Sequence, residues 1–154
     1  MKKYTFVLMV LLCIGCDSED TTVDTTVMPE ATTTGADTFG CLIDGWLYVG
    51  GRYGAPPATS SIRFEYYPGK DKVNAYVYVK GLKAITFTIH SPQVGTTTTY
   101  TDASFGFESL EDGNVTITHL DKKKRIISGT FEGGQVSKGR FDVHYLDMKP
   151  EPQP

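Results

Sequence analysis

Between Ile62 and Ile89 the apolar side chains recur at every second position: Ile62, Phe64 and Tyr66, then Val73, Ala75, Val77 and Val79, then Ile85, Phe87 and Ile89. Successive side chains of a strand point to opposite faces, so a period of two marks half-buried strands, whereas an amphipathic helix needs a period of 3.6. Turn signals such as Asp44-Gly45, Pro68-Gly69, Gly81 and Pro92 interrupt the alternation roughly every 8–12 residues. No segment carries a helical period. The pattern predicts an all-β, single antiparallel domain of about 8–9 strands over residues 38–147, followed by a frayed tail at 148–154. A two-sheet β-sandwich is the favoured architecture and a closed, calycin-like β-barrel the second, because strand count alone does not separate them.

The turns fix registers. Asp44-Gly45 is a type I′ dipeptide. Pairing Ile43 with Trp46 puts Phe39, Cys41, Trp46 and Tyr48 on one face and Leu42, Leu47 and Val49 on the other. Both faces are apolar, so this hairpin is either covered twice within the domain or presents one side to a partner. In the next hairpin a four-residue loop, Pro68-Gly69-Lys70-Asp71, keeps Ile62, Phe64 and Tyr66 on the side of Val73, Ala75 and Val77; a five-residue loop would flip one strand. Arg63, Glu65 and Tyr67 then face outward opposite Tyr76, Asn74 and Lys72, with Tyr78, Thr86 and His90 beside them. Later strands are expected at 104–110, 115–121, 125–131 and 139–145. A loop of Lys122-Lys123-Lys124 would place Val115, Ile117, His119, Ile127 and Phe131 on the core side.

Ahead of the domain, Lys2 and Lys3 precede an apolar run of about nine residues from Phe6 to Ile14, which reads as a secretion leader over residues 1–15. A span would need about 20 apolar residues. Leu12-Cys13-Ile14-Gly15-Cys16 resembles a bacterial lipobox, with Cys13 where leucine is usual. That resemblance implies palmitate or a similar acyl chain on Cys16, which would tie the protein to a membrane; an ordinary cleaved leader is the alternative. Cys41, between apolar neighbours, then has no partner in its own chain and reads as a buried thiol. Residues 16–37 form an acidic, Thr-rich stretch without Lys, Arg or aromatics, expected to be a disordered tether. Of 15 basic and 18 acidic residues, the leader holds Lys2 and Lys3, and the tether holds Asp17, Glu19, Asp20, Asp24, Glu30 and Asp37. About 13 basic and 12 acidic groups remain for the rest of the chain, a balance that gives no case for nucleic acid.

Asp17-Ser18-Glu19-Asp20 resembles the surface-export signal of Bacteroidetes lipoproteins, and Asp20-Thr21-Thr22 and Asp24-Thr25-Thr26 resemble the O-glycosylation motif of that group, with Thr21 and Thr25 as acceptors. In enterobacterial lipoproteins an aspartate directly after the lipidated cysteine implies inner-membrane retention, so a periplasm-facing location is the alternative. The phrases "TGADTFGCLIDGW", "RIISGTFEG" and "GRFDVHY" resemble an uncharacterised family, a domain of unknown function, of small Bacteroidetes outer-membrane lipoproteins. The resemblance covers most of residues 34–145, while "EGGQVSK" is shorter than the pattern. It implies a lipid-anchored outer-membrane β domain displayed at the cell surface, and no established activity.

Sequence motifs for chemistry are absent: no Gly-x-Ser-x-Gly, no phosphate-binding glycine loop, no His-Glu-x-x-His and no zinc-spaced cysteines. His90, His119 and His144 fall on different strands and do not converge as metal ligands. Glu108 with Glu111 or Asp112 is a conceivable carboxylate pair, but Glu111-Asp112-Gly113-Asn114 reads more simply as a solvated turn. No catalytic residue, cofactor or metal is assigned. The one constellation above background is Arg63, Tyr67, Asn74, Tyr76 and Tyr78, which offers flat aromatic surface beside hydrogen-bonding groups, as a sugar ring requires. The expected function is therefore a non-catalytic, lipid-anchored envelope protein that binds a glycan or protein partner. Its alternatives are a structural subunit docking through the 39–49 hairpin, and a glycan-active hydrolase.

Overall fold

The structure, a computed structural model, describes residue 24 and residues 26–50, 61–79 and 83–149. The strands are β1 (Thr38–Ile43), β2 (Trp46–Gly50), β3 (Ile62–Tyr67), β4 (Lys72–Val79), β5 (Lys83–His90), β6 (Thr97–Phe105), β7 (Glu108–Ser109), β8 (Gly113–Asp121), β9 (Ile126–Gly133) and β10 (Val136–Asp147), with a 3₁₀ turn at Pro68–Lys70. The domain is all-β. Of the two architectures expected, the closed barrel is realised and the sandwich is not: β1 pairs with β2 on one side and with β10 on the other, so the first and last strands meet and leave no edges to stack as separate sheets. Eight antiparallel strands close in the order β1-β2-β4-β5-β6-β8-β9-β10, and β3 and β7 are additional.

The seam between β10 and β4 is where closure is least regular. Toward one end β1 and β2 fill it, and among the described residues β2 pairs with β4 at Gly50 and Val79. Toward the other, β3 fills it, antiparallel to β4 and parallel to β10 through Tyr145 and Phe64, Leu146 and Glu65, and Asp147 and Tyr66.

The interior is packed rather than hollow. Phe87 and Phe131 stack at 5.0 Å, Phe39 meets Phe131 at 5.5 Å and Phe64 meets Phe141 at 5.1 Å, with Tyr100, Ile89, Ile117 and Val143 filling the layers around them. Each such ring buries on the order of 150–250 Å², so the aromatic column dominates the burial energy. Apolar side chains point in and polar ones out, the inverse of a membrane-spanning barrel, whose apolar band faces lipid.

The first two hairpins have the registers the turn residues require: Ile43 pairs with Trp46, and Tyr67 with Lys72 across a four-residue connection. Three features differ from expectation. Thr97–Phe105 is one strand that a two-residue turn, Gly106-Phe107, joins to β7, where a strand at 104–110 had been expected. The β8–β9 loop has four residues rather than three, because Asp121 pairs with Ile126. A bulge between Ile117 and His119 restores the expected pairing of Val115 with Phe131 and sets His119 opposite Ser128, on the outer face instead of the core side.

The stretch expected to be a disordered tether up to Asp37 is held on the barrel over its last part. Met28 and Pro29 lie against Gly40, Arg140 Nη1 donates to the Pro29 carbonyl at 3.1 Å, and the buried Asp142 carboxylate gathers Thr32 Oγ1 (2.6 Å), Thr34 N (2.9 Å), Gly35 N (2.9 Å) and Ala36 N (3.1 Å). This strap covers the second apolar face of the β1–β2 hairpin at Gly40. At the other terminus Met148 N still donates to Tyr66 O at 2.8 Å, one residue into the tail expected to fray. The leader, Cys16, the acceptors Thr21 and Thr25, and residues 150–154 lie outside the described residues. No helix among the described residues is long and apolar enough to cross a membrane.

Candidate functional site

Neighbouring strands β3, β4 and β5 bring the sequence-selected polar and aromatic residues onto one outer face. Ladder pairing sets Arg63 beside Tyr76 and Tyr76 beside Thr86, while Glu65 lies beside Asn74 and Asn74 beside Thr88. Period-two alternation sends Phe64, Ala75 and Val77 to the core and leaves these outside.

Tyr76 and Tyr78 are 37% and 54% exposed, and with Arg63 and Ser61 they line an open depression of about 250 Å³. The Arg63 guanidinium stands 5.9 Å from the Tyr76 ring centroid, and Asn74 Nδ2 donates to the Tyr76 hydroxyl at 3.4 Å. Glu65 is buried among them: it pairs with Arg63 and accepts from the Tyr67 hydroxyl at 2.7 Å. The bond to Glu65 is the main cause of the raised pKa values of both Tyr67 and Arg63. Tyr67 is thus engaged by Glu65 below and by Lys72, whose Nζ is 5.5 Å from its ring, and does not line the depression. The expected five-residue group divides accordingly. Arg63, Tyr76 and Tyr78 offer the open surface, Asn74 braces Tyr76, and Tyr67 braces Glu65.

Glu65 is the residue that the sequence reading left out of the group. Its signal was present in the register, which places it between Arg63 and Tyr67 on the same face.

Other candidates do not assemble. His90 Nε2 shares a 2.8 Å hydrogen bond with Thr101 Oγ1, and His144 Nδ1 lies 3.0 Å from Asp37 Oδ1. Among the described residues no group of His, Cys, Asp and Glu is placed to hold a metal. Glu108, Glu111 and Asp112 are all exposed, and Glu111 N donates to Gln135 Oε1 at 3.2 Å, which makes this segment a solvated connection rather than a cleft. In the basic loop, Asp121 Oδ1 accepts from Lys123 N and Lys124 N at 2.9 Å each, a capped turn with its ammonium groups in water. A second open depression, about 430 Å³, lies on the β6–β8–β9–β10 side between Thr97, Thr116, Thr130, Lys138 and Arg140. It has no exposed ring on which a ligand could stack. Compared with protein-family models, curated proteins and solved structures, the chain has no match.

Proposed function

We propose that this chain is a non-catalytic, lipid-anchored envelope protein that binds a glycan on the outer face of β3 and β4. The anchor is Cys16, and the location is the outer membrane of a Bacteroidetes-type cell, facing outward. The leader, the lipobox-like cysteine, the acidic run after it and the resemblance to small Bacteroidetes lipoproteins support that address. The observation that carries the binding reading is the pair of outward, exposed rings, Tyr76 and Tyr78, beside an arginine held in place by a buried carboxylate. The apolar C–H face of a pyranose stacks on such rings, while the guanidinium and Asn74 supply directional hydrogen bonds.

The test is the double substitution Tyr76→Ala/Tyr78→Ala. Outward rings on a sheet add only about 0.2–1 kcal/mol each through cross-strand pairing, so the thermal midpoint should move by a few degrees at most. Retention on a glycan array should fall about tenfold or more, since a lost stacking contact is worth on the order of 1–2 kcal/mol. A wild-type protein that holds nothing from a broad glycan panel would remove the binding reading. Labelling of Cys16→Ala with fatty acid would remove the anchor.

A further inference from the structure

The barrel end formed by the β1–β2 and β6–β7 turns carries the most exposed aromatics of the described chain. Phe107 is 110% exposed at the tip of its two-residue turn and Trp46 is 73% exposed next to Gly45. They belong to one rim, because two residues further in along the same strands the rings of Tyr48 and Phe105 meet at 4.6 Å. Trp46 has the inward register of Ile43 and Cys41, yet it lies at the strand end and is exposed where Ile43 is buried. Exposed tryptophan and phenylalanine at hairpin tips suit the water–lipid interface, where an aromatic body is withdrawn from water and the indole N–H keeps a polar partner.

The direction of the N-terminal strap points the same way. From Pro29, at the level of Arg140, to Asp37, which bonds His144, it runs parallel to β10. Since β10 starts beside the β1–β2 turn, where Asp44 N donates to Gln135 O at 3.0 Å, the described strap begins, at Met28 and Pro29, on the side nearer the Trp46 end. Cys16 is about twelve residues further back, a root-mean-square reach of roughly 20 Å. An acyl chain on Cys16 would thus attach nearer this end than the opposite one.

Among the described residues, Asp44 and Glu108 flank the two tips and Lys83 lies over Phe105 at 4.6 Å. We propose that the barrel rests with Trp46 and Phe107 in the interfacial layer of the lipid bilayer that holds the Cys16 acyl chain. The proposal rests on the reading of Cys16 as the anchor and adds an orientation to it.

Trp46 is the only tryptophan in the chain, so its emission reports this contact alone. The full lipoprotein, extracted from membranes and reconstituted into phosphatidylcholine vesicles, should show a blue-shifted emission that is quenched by lipids brominated near the headgroup. Phe107→Ser should reduce both effects. Fatty-acid labelling reports the anchor separately; if Cys16 proves unlabelled, coupling its thiol to a maleimide lipid supplies the tether, and Trp46 emission still decides the orientation. A tethered protein whose Trp46 emits as in water overturns the proposal. So does a blue shift that appears without lipid and grows with protein concentration, which would assign the rim to a second copy of the chain.

Discussion

Glu65 holds its place on an outward face only because neighbouring donors replace the water it has lost. A desolvated carboxylate without partners would cost several kcal/mol, and Arg63 and Tyr67 supply the charge-assisted bonds that offset this. The same bonds fix the guanidinium over Tyr76, so Glu65 is a positioning residue for the proposed glycan face. In Glu65→Gln the Tyr67 pKa should fall toward the ordinary value, because the hydrogen bond to the carboxylate is the largest cause of its elevation; ring-proton NMR during an alkaline titration reads this directly. Glycan retention should drop with it, and an unchanged Tyr67 titration would show that the bond is not formed in solution. Cys41 is the opposite kind of residue. Burial pushes its thiol up to about 12, and reactivity follows the thiolate, so iodoacetamide at pH 8 should leave it untouched until the protein is denatured.

Among the elements, the strap is the one whose centre is gathered on a single buried carboxylate, Asp142. Burial raises the pKa of Asp142, but hydrogen bonds from Thr32, Ser128, Ala36 and Gly35 outweigh that and hold the carboxyl well below the ordinary carboxylate range. A depressed folded-state pKa gives stability that is present above the unfolded value, about 3.9, and lost as pH falls toward the folded one. Amides of Thr34, Gly35 and Ala36 should therefore be protected from hydrogen exchange at neutral pH and lose protection below about pH 4. In Asp142→Asn that pH dependence should vanish and protection should be low throughout; strap amides that exchange freely in the wild type at pH 7 would contradict the latch. Composition did not reveal this element. A Thr- and acid-rich stretch lacks apolar surface, but Thr34, Gly35 and Ala36 need only backbone N–H groups and a carboxylate more than a hundred residues away in sequence. The two hairpin registers were legible because Asp44-Gly45 and the Pro68–Asp71 loop act locally. The strand at Thr97–Phe105 was not, since its start, Thr97 to Thr99, lacks apolar alternation, and the Thr118 bulge has no local marker at all.

At the scale of the whole molecule, closure by β1 and β10 pairs residues about a hundred positions apart, and for that reason alternation could show the strands without deciding between a sandwich and a barrel. Among the described residues the ring is unevenly bonded. β8 and β9 pair along seven positions and β4 and β5 along eight, whereas β2 and β4 pair at Gly50 and Val79 and β3 meets β10 at three positions. Backbone hydrogen bonds across a short contact open more readily, so the seam should be the first part of the barrel to exchange. Gly50 sits at its narrowest point. A Cβ there would overlap Val77 Cγ1 and press within 3.2 Å of Ile62 Cγ1 and 3.3 Å of Phe39 Cβ, so β1, β3 and β4 close around β2 here without displacement because this residue has no side chain. Gly50→Ala should therefore cost about 1–3 kcal/mol in chemical denaturation, the usual range for overpacking. The decisive reading is where the cost appears. Amides of β2 and β3 should exchange faster in the variant while those of β8 and β9 keep their protection, because a forced seam opens locally before the ring unfolds. A uniform loss across all strands would show that closure is cooperative through Gly50 and that the seam is no weaker than the rest; an unchanged midpoint would show that β2 and β4 do not approach this closely.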